Sequence, residues 1–332
     1  MSLIYLATQG LKVRRRKASL VLTNEDEVVE RIPMAHVSAI VAYGRIEFTT
    51  GAVIGCAAES IRIVFASRSG KMLASIQPAH DADAAVRIQQ HRAFQDPKLR
   101  LQLARRIVRS KLNAALSVLH SYVDRSIETA GAIASIDSAV AGIDSCESIS
   151  SLLGIEGSGA RAYWTAFSKL NASSLSFNGR TSRPPRDPVN ALLSFGYVLL
   201  ANEIATLLTA AGFDACVGYY HEPFRGRPSL ALDTMEPLRH DIIDRMVLGA
   251  INGGRFTAED FEHAEGVTLS SKARAKFVEI YEHTMLSAPR KSLAADKSKD
   301  NREAIIRRCE ALRAYFVTRG ENGEREQLGA AA

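Results

Sequence analysis

Residues 221–239 read HEPFRGRPSLALDTMEPLR. The segment opens on an imidazole, His221, passes through a turn rich in Arg, Gly and Pro, and reaches Pro228 and Ser229, a start signal for a helix. Beyond that signal Leu230, Ala231, Leu232 and Met235 are apolar, while Asp233 and Glu236 stand three residues apart. At that spacing two carboxylates share one helical face. Like charges so close raise each other's pKa and call for a positive partner. A solvated face is the ordinary alternative for such a pair, and the apolar neighbours weigh against it. His221 alone would read as a hydrogen-bonded histidine; two acids nearby in sequence shift it toward a ligand.

Working upstream, residues 152–167 read LLGIEGSGARAYWTAF and place Glu156 between Gly154 and Gly157, residues that let backbone approach closely. By itself Glu156 reads as an acid favoured at a helix N-terminus. Together with Asp233, Glu236 and His221 it completes a donor set suited to a hard, partly hydrated divalent cation. Arg161, Tyr163 and Lys169 follow on a helix that could line the same cleft, although Tyr163 and Trp164 also read as core aromatics. Between the two segments the loop 178–187, NGRTSRPPRD, carries Arg180, Arg183 and Arg186. Guanidinium groups held by prolines make a phosphate clamp, and a solvated linker is the equal alternative. Asn190 then either caps the first turn of an apolar helix or faces something specific. This set points to a metal-dependent enzyme acting on nucleic-acid phosphodiesters.

The bulk properties permit that chemistry without demanding it. At 332 residues the chain can bury two domains. Its formal net charge of +6 suits a polyanion but is also common on soluble enzymes. Cys56, Cys146, Cys216 and Cys309 are scattered with no C-x-x-C pair, which argues for free thiols in a reducing compartment and against zinc. No phosphate-loop, dinucleotide-binding, H-E-x-x-H or G-x-S-x-G motif is present. No secretory signal is visible, and the apolar run 189–208 is interrupted by Asn190, Asn202 and Glu203, so it is expected inside a cytoplasmic protein rather than in a bilayer.

The fold class expected is α+β, a small N-terminal β-rich domain followed by a larger, mostly α-helical catalytic domain. Residues 1–78 hold short alternating and β-branched runs, with a hairpin turn at Asn24-Glu25-Asp26 and one helix over 50–60. The basic run 12–17 reads as an exposed strand edge guarded by charge. From 79 to 320 apolar residues recur at helical spacing over 86–91, 99–119, 130–153, 159–170, 189–208, 230–248, 270–286 and 301–318. Residues 216–220 look β-like, 288–300 form a connection rich in Ser, Lys and Asp, and 321–332 are a frayed tail.

The ordered segments LLGIEGSGARAYWTAF, RPPRDPVNALLSFGYVLL and GYYHEPFRGRPSLALDTMEPLR resemble the CRISPR-associated adaptation integrase family, the first-numbered of the Cas proteins. Residues 248–252 and 260–262 fall where similar segments lie. The resemblance implies an N-terminal β domain that forms a homodimer and a helical catalytic domain. It implies Glu156, His221 and Glu236 as ligands of Mg²⁺ or Mn²⁺, with Asp233 an accessory acid or alternative ligand. Some members place Asp where Glu236 stands, so which of Asp233 and Glu236 coordinates stays open. Tyr163, Arg183 and Asn190 match positions near the family's cleft. The implied reaction is metal-dependent endonuclease and integrase chemistry, in which the 3′-hydroxyl of a protospacer DNA attacks a phosphodiester at a CRISPR repeat border. The implied partners are DNA and a dimer of the small second Cas protein, bridging two homodimers into a heterohexamer. A DNA-binding scaffold without catalysis is the competing expectation.

Overall fold

The computed structural model describes residues 2–6, 8–67, 72–78, 84–122, 127–182, 184–289 and 298–330. Expectations on Arg183, on residues 79–83 after the proposed boundary and on most of the 288–300 connection lie outside them.

The β-branched N-terminus forms two four-stranded sheets. β2 (Lys12–Arg16), β3 (Ser19–Asn24), β4 (Glu27–Pro33) and the two-residue β6 (Glu47–Phe48) make one, in the order β4-β3-β2-β6. Glu25 and Asp26 both have positive φ (48° and 65°), the combination of a type I′ hairpin turn whose twist suits the strands it joins. Pairing of β2 with β6 stops at Val13, and the exposed arginines 14–16 begin there, where the backbone side is open. The other sheet has the order β1-β5-β7-β8, from β1 (Ser2–Leu6), β5 (Val37–Tyr43), β7 (Arg62–Ala66) and β8 (Met72–Ile76). Helix α1 (Thr50–Ala58) is capped by Thr49, whose hydroxyl accepts from the Ala52 N–H. One core unites Leu6, Ile40 and Ile63 of this sheet with Val13, Leu20 and Leu22 of the other and with Ala52 and Cys56 of α1.

Both faces of β5 and β7 are covered, as expected of strands in parallel pairing. The second face carries Ala39, Val41 and Val64, which pack on Ala210. This moves the boundary expected at residue 78. One compact unit comprises Met1–Ala93, Ala201–Val217 and Arg308–Ala332, and the other Phe94–Leu200 and Gly218–Arg307. Within the first unit the guanidinium of Arg62, 3% exposed, donates to Ala210 O at 2.8 Å, and Gln90 of α2 (Ala84–Gln95) donates to Asp214 O and Val217 O. Apolar β-strands need cover on their outer face, and remote helix ends supply it.

The remaining chain is mostly helical: α3 (Pro97–His120), α4 (Ile127–Gly142), α5 (Ile149–Leu170), α6 (Pro188–Ala210), α7 (Ser229–Arg239), α8 (Arg245–Asn252), α9 (Ser271–Met285) and α10 (Asn301–Ala330), with a short antiparallel hairpin of β9 (Phe261–His263) and β10 (Val267–Leu269). Helix α6 is apolar and long enough to span a bilayer, but 78% of that stretch is buried inside the protein. The single helix expected over 130–153 is two. Ser148 starts a new one, exchanging hydrogen bonds with Ser151 in a capping box, and Glu156 therefore lies two turns inside α5. The helix expected over 230–248 passes through a π-turn at His240–Asp244, just beyond Pro237. A proline inside a helix forfeits one backbone bond and crowds the preceding turn. Cys56, Cys146 and Cys309 are buried thiols, whereas Cys216 is exposed.

Candidate active site

Three helices and one turn deliver the site. Helix α3 begins at Pro97 under the cap of Asp96, whose carboxylate accepts from the Lys98 and Leu99 N–H groups. Its apolar stripe runs through Val108, Leu112, Ala115 and Leu119, and Lys111 sits on that stripe rather than on the solvent face. Helix α5 crosses close by. A Cβ on Gly159 would lie 2.7 Å from the Leu112 side chain, so the glycine needed for close approach is Gly159. Gly154 and Gly157, expected in that role, have open space around them. One turn before Gly159, Glu156 reaches Lys111, with its Oε1 2.5 Å from Nζ. Glu236 of α7 meets the same ammonium from the other side, Oε2 to Nζ 2.7 Å. The two carboxylates thus converge on one nitrogen from elements far apart in sequence. All three side chains are largely withdrawn from solvent, at 8% exposure for Lys111, 16% for Glu156 and 5% for Glu236.

Asp233 occupies a different position from Glu236. Its Oδ2 accepts the N–H groups of Tyr219 and Tyr220, and its Oδ1 accepts the His221 N–H at 2.9 Å and meets His221 Nδ1 at 2.8 Å. The β-like run expected at 216–220 is accordingly turns and bends, in which the Cys216 and Val217 N–H groups donate to Asp214 and those of Tyr219 and Tyr220 to Asp233 instead of to a neighbouring strand. Gly218 permits this fold-over, because a Cβ there would lie 2.7 Å from the carbonyl carbon of Ser229. Arg100 of α3 secures the turn from outside, donating to Tyr219 O at 3.0 Å and pairing with Glu222 at 2.5 Å.

An ionised carboxylate only accepts, so the Asp233 contact places an imidazole proton on Nδ1 and turns Nε2 away from Asp233. That Nε2 lies 3.7 Å from Glu236 Oε1. A carboxylate that orients a histidine whose other nitrogen faces further acids is the arrangement that supports metal-ligating imidazoles. The geometry therefore separates the pair left open by the sequence: Glu236 faces Glu156 and His221 Nε2, and Asp233 stands behind the ring.

Electrostatics reinforce that division. Burial alone would raise the Glu236 pKa, yet Lys111, Arg239 and His221 outweigh it and hold the carboxyl below the usual range. Tyr220 is driven above its ordinary value by burial and then by Glu156, Glu236 and Asp233, so it stays a neutral phenol beside the acids. Arg239 lies 3.3 Å from both Glu236 oxygens and 4.2 Å above the Tyr197 ring. Behind it Asp244, wholly buried, accepts from the hydroxyls of Tyr163 (2.9 Å) and Tyr197 and pairs with His240 Nδ1 at 2.6 Å.

The candidate nucleic-acid contacts divide in the same way. Arg161 and Arg186 are exposed. Tyr163 and Asn190 are fully buried, which corrects their expected contact with a polymer: the first serves Asp244, and the second accepts from Arg180 and the Thr181 N–H and donates to Gly179 O and Asp187. Arg180 is committed as well, to Asn190, Ser194 and the Tyr197 ring. Lys111, Arg239, Tyr220 and Asp244 were not singled out from sequence. For Lys111 the available signal was a charge on the apolar stripe of an amphipathic helix.

Among the described residues no three His, Cys, Asp or Glu side chains form a ready cage for an ion; an ammonium stands between the two carboxylates. The donor set nonetheless suits a hard cation, because two acids and an oriented imidazole surround a place already held by positive charge.

Comparison with known proteins agrees with this architecture. Residues 4–283 match the family model described as CRISPR associated protein Cas1. The chain is 36% identical over 281 residues to CRISPR-associated endonuclease Cas1 3 of Thermus thermophilus, covering 84% of this chain and 81% of that one. In fold it is similar to a casposase bound to integration product (TM-score 0.80, 23% identity, 96% of both chains). It is similar too to a chain of a partial Cas6-RT-Cas1–Cas2 complex (TM-score 0.76, 22% identity, 96% of both chains). With a family model spanning most of its length and a relative this similar, the chain belongs to the Cas1 family of CRISPR-associated proteins.

Proposed function

We propose that this protein is a divalent-metal-dependent DNA endonuclease and integrase of CRISPR adaptation. It joins the 3′-hydroxyl of a protospacer DNA to a repeat-border phosphodiester by transesterification. The observation that carries the reading is the convergence of Glu156 and Glu236 on one cationic position, with an oriented imidazole at its side. Glu156, Glu236 and His221 Nε2 would hold Mg²⁺ or Mn²⁺, whose Lewis acidity there would polarise the scissile phosphate.

The chain's own residues prepare that site. Asp233 fixes the His221 tautomer through its contact with Nδ1. Arg239 keeps Glu236 ionised and is itself clamped by the Tyr197 ring. Arg161 and Arg186, both exposed, are suited to phosphate contacts along the DNA. The likeness to a casposase on its integration product and to a chain assembled with Cas2 supports DNA and a small second Cas protein as partners. Val28 and Val29 on β4 and Leu73 on β8 are exposed apolar residues on edge strands, of the kind that homodimer formation would cover.

The test is strand transfer on branched and integration DNA substrates, with Mg²⁺ or Mn²⁺ and with EDTA. Wild-type protein should act only with the ion. Glu156→Ala and His221→Ala should each abolish strand transfer and leave DNA binding largely intact. Strand transfer retained by either variant refutes the assignment, and DNA binding without ion-dependent chemistry in the wild type would leave a scaffold.

A further inference from the structure

Lys111 is an unusual residue for its place. Lysine is seldom buried without a partner, yet this one lies on the apolar stripe of α3 between Val108 and Ala115, with its side chain 8% exposed. Its ammonium contacts two acids at once, Glu156 at 2.5 Å and Glu236 at 2.7 Å. Without a cation between them, two ionised carboxylates this sheltered would repel each other. An ion bound through oxygens of Mg²⁺ type sits about 2.0–2.1 Å from each, so it needs the space the ammonium fills. Two like charges cannot share that space. Arg239, another cation on Glu236, is held against the Tyr197 ring. Lysine has a flexible four-carbon stem that can swing aside.

We infer that Lys111 is a built-in counter-ion that holds Glu156 and Glu236 together in the ion-free protein and is expelled from between them when a divalent cation binds. The inference rests on the metal-dependent reading above and extends it to ion exchange. Lys111 keeps the two acids in register while no metal is bound. In return it lowers the apparent affinity for the ion by the fraction of molecules in which the ammonium is withdrawn.

Full-length protein titrated with Mn²⁺, with free ion followed by electron paramagnetic resonance, tests this directly. Lys111→Met should bind Mn²⁺ tighter than wild type by about tenfold or more, because its competent state no longer has to be cleared of the ammonium. In EDTA the same variant should melt at a lower temperature than wild type, and Mn²⁺ should raise its melting temperature by more than it raises the wild type's. Equal or weaker Mn²⁺ binding in Lys111→Met, with wild type binding normally, overturns the inference and leaves the metal reading standing. Absence of Mn²⁺ binding in wild type and variant alike overturns the metal reading itself. Should Lys111→Met fail to fold, amine-reactive labelling of wild-type Lys111 provides the second measurement. Its labelling rate should rise several-fold on adding Mn²⁺, and an unchanged rate overturns the inference.

Discussion

Asp233 and Glu236 are chemically near-equivalent and one helical turn apart, yet their surroundings give them different tasks. Three backbone N–H groups and an imidazole consume the acceptor capacity of Asp233, while Glu236 turns to a lysine, an arginine and the far nitrogen of the same imidazole. Asp233→Asn, which can no longer impose the His221 tautomer, should weaken Mn²⁺ binding and strand transfer by about 10–100-fold without abolishing them. Calorimetry and the strand-transfer assay check this, and loss as complete as in Glu156→Ala would make Asp233 a ligand instead. Asp244 permits a test by pH. Burial would raise its pKa, but His240, Arg239 and the Tyr197 hydroxyl outweigh it and hold it below its ordinary 3.8. A carboxyl depressed on folding adds stability that is complete above its unfolded pKa and fades as pH falls through the folded one. Asp244→Asn should therefore lose about 3–5 kcal/mol at neutral pH. That deficit should narrow below about pH 4, where the wild type loses the same contribution. Urea denaturation at several pH values measures both.

At the scale of elements, two glycines and a capping box decide whether the side chains meet. Gly218 folds the 216–221 turn back against the start of α7, where a Cβ would strike the backbone at Ser229. Gly218→Ala should cost about 1–3 kcal/mol as overpacking against a part that cannot yield, and strand transfer should fall with it as the donors to Asp233 are displaced. The close neighbour of Gly159 is the tip of Leu112, a softer one, with the Ala139 Cβ at an ordinary 3.6 Å; Ala there should be milder in stability than at Gly218, a ranking that thermal melts would expose. Much of this scale was legible in sequence. The hairpin at Glu25-Asp26, α1, α3, α6 and α9 appear where turn residues and apolar periodicity place them. The misreadings have local causes. The Ser148 cap was hidden inside a stretch of helix-compatible residues, and the π-turn is a change of hydrogen-bond pitch that leaves apolar spacing almost unaltered. Residues 216–220 carry strand-like composition, but Asp214 took the N–H groups of Cys216 and Val217 and Asp233 those of Tyr219 and Tyr220.

For the molecule as a whole, the surprise is how the β-rich unit is completed. Strands β5 and β7 are covered on both faces, the second by Ala210, and residues 201–217 and 308–332 belong to the same compact unit as the sheets. Phe316 of α10 is wholly buried and lies edge-on to Phe213 at 5.9 Å. Phe316→Ala should destabilise this unit by about 3–5 kcal/mol, seen as an earlier urea transition, with strand transfer per folded molecule unchanged at low temperature because the site is built elsewhere. A domain boundary read from composition falls at residue 78, where strands give way to helices; contacts put it elsewhere because apolar strands recruit whichever helix ends lie within reach. The sequence alone determined the β-then-α order, the spacing of the helices and the set of chemical groups, Glu156, His221, Asp233 and Glu236, since periodicity and residue chemistry are local properties. Only the tertiary structure decided which acid faces its partners and which stands behind the histidine, withdrew Tyr163, Asn190 and Arg180 into supporting roles, and set Lys111 between the carboxylates. Those outcomes depend on charge and space supplied by α3, α5 and α7, segments distant along the chain, and no local pattern records what will be packed opposite.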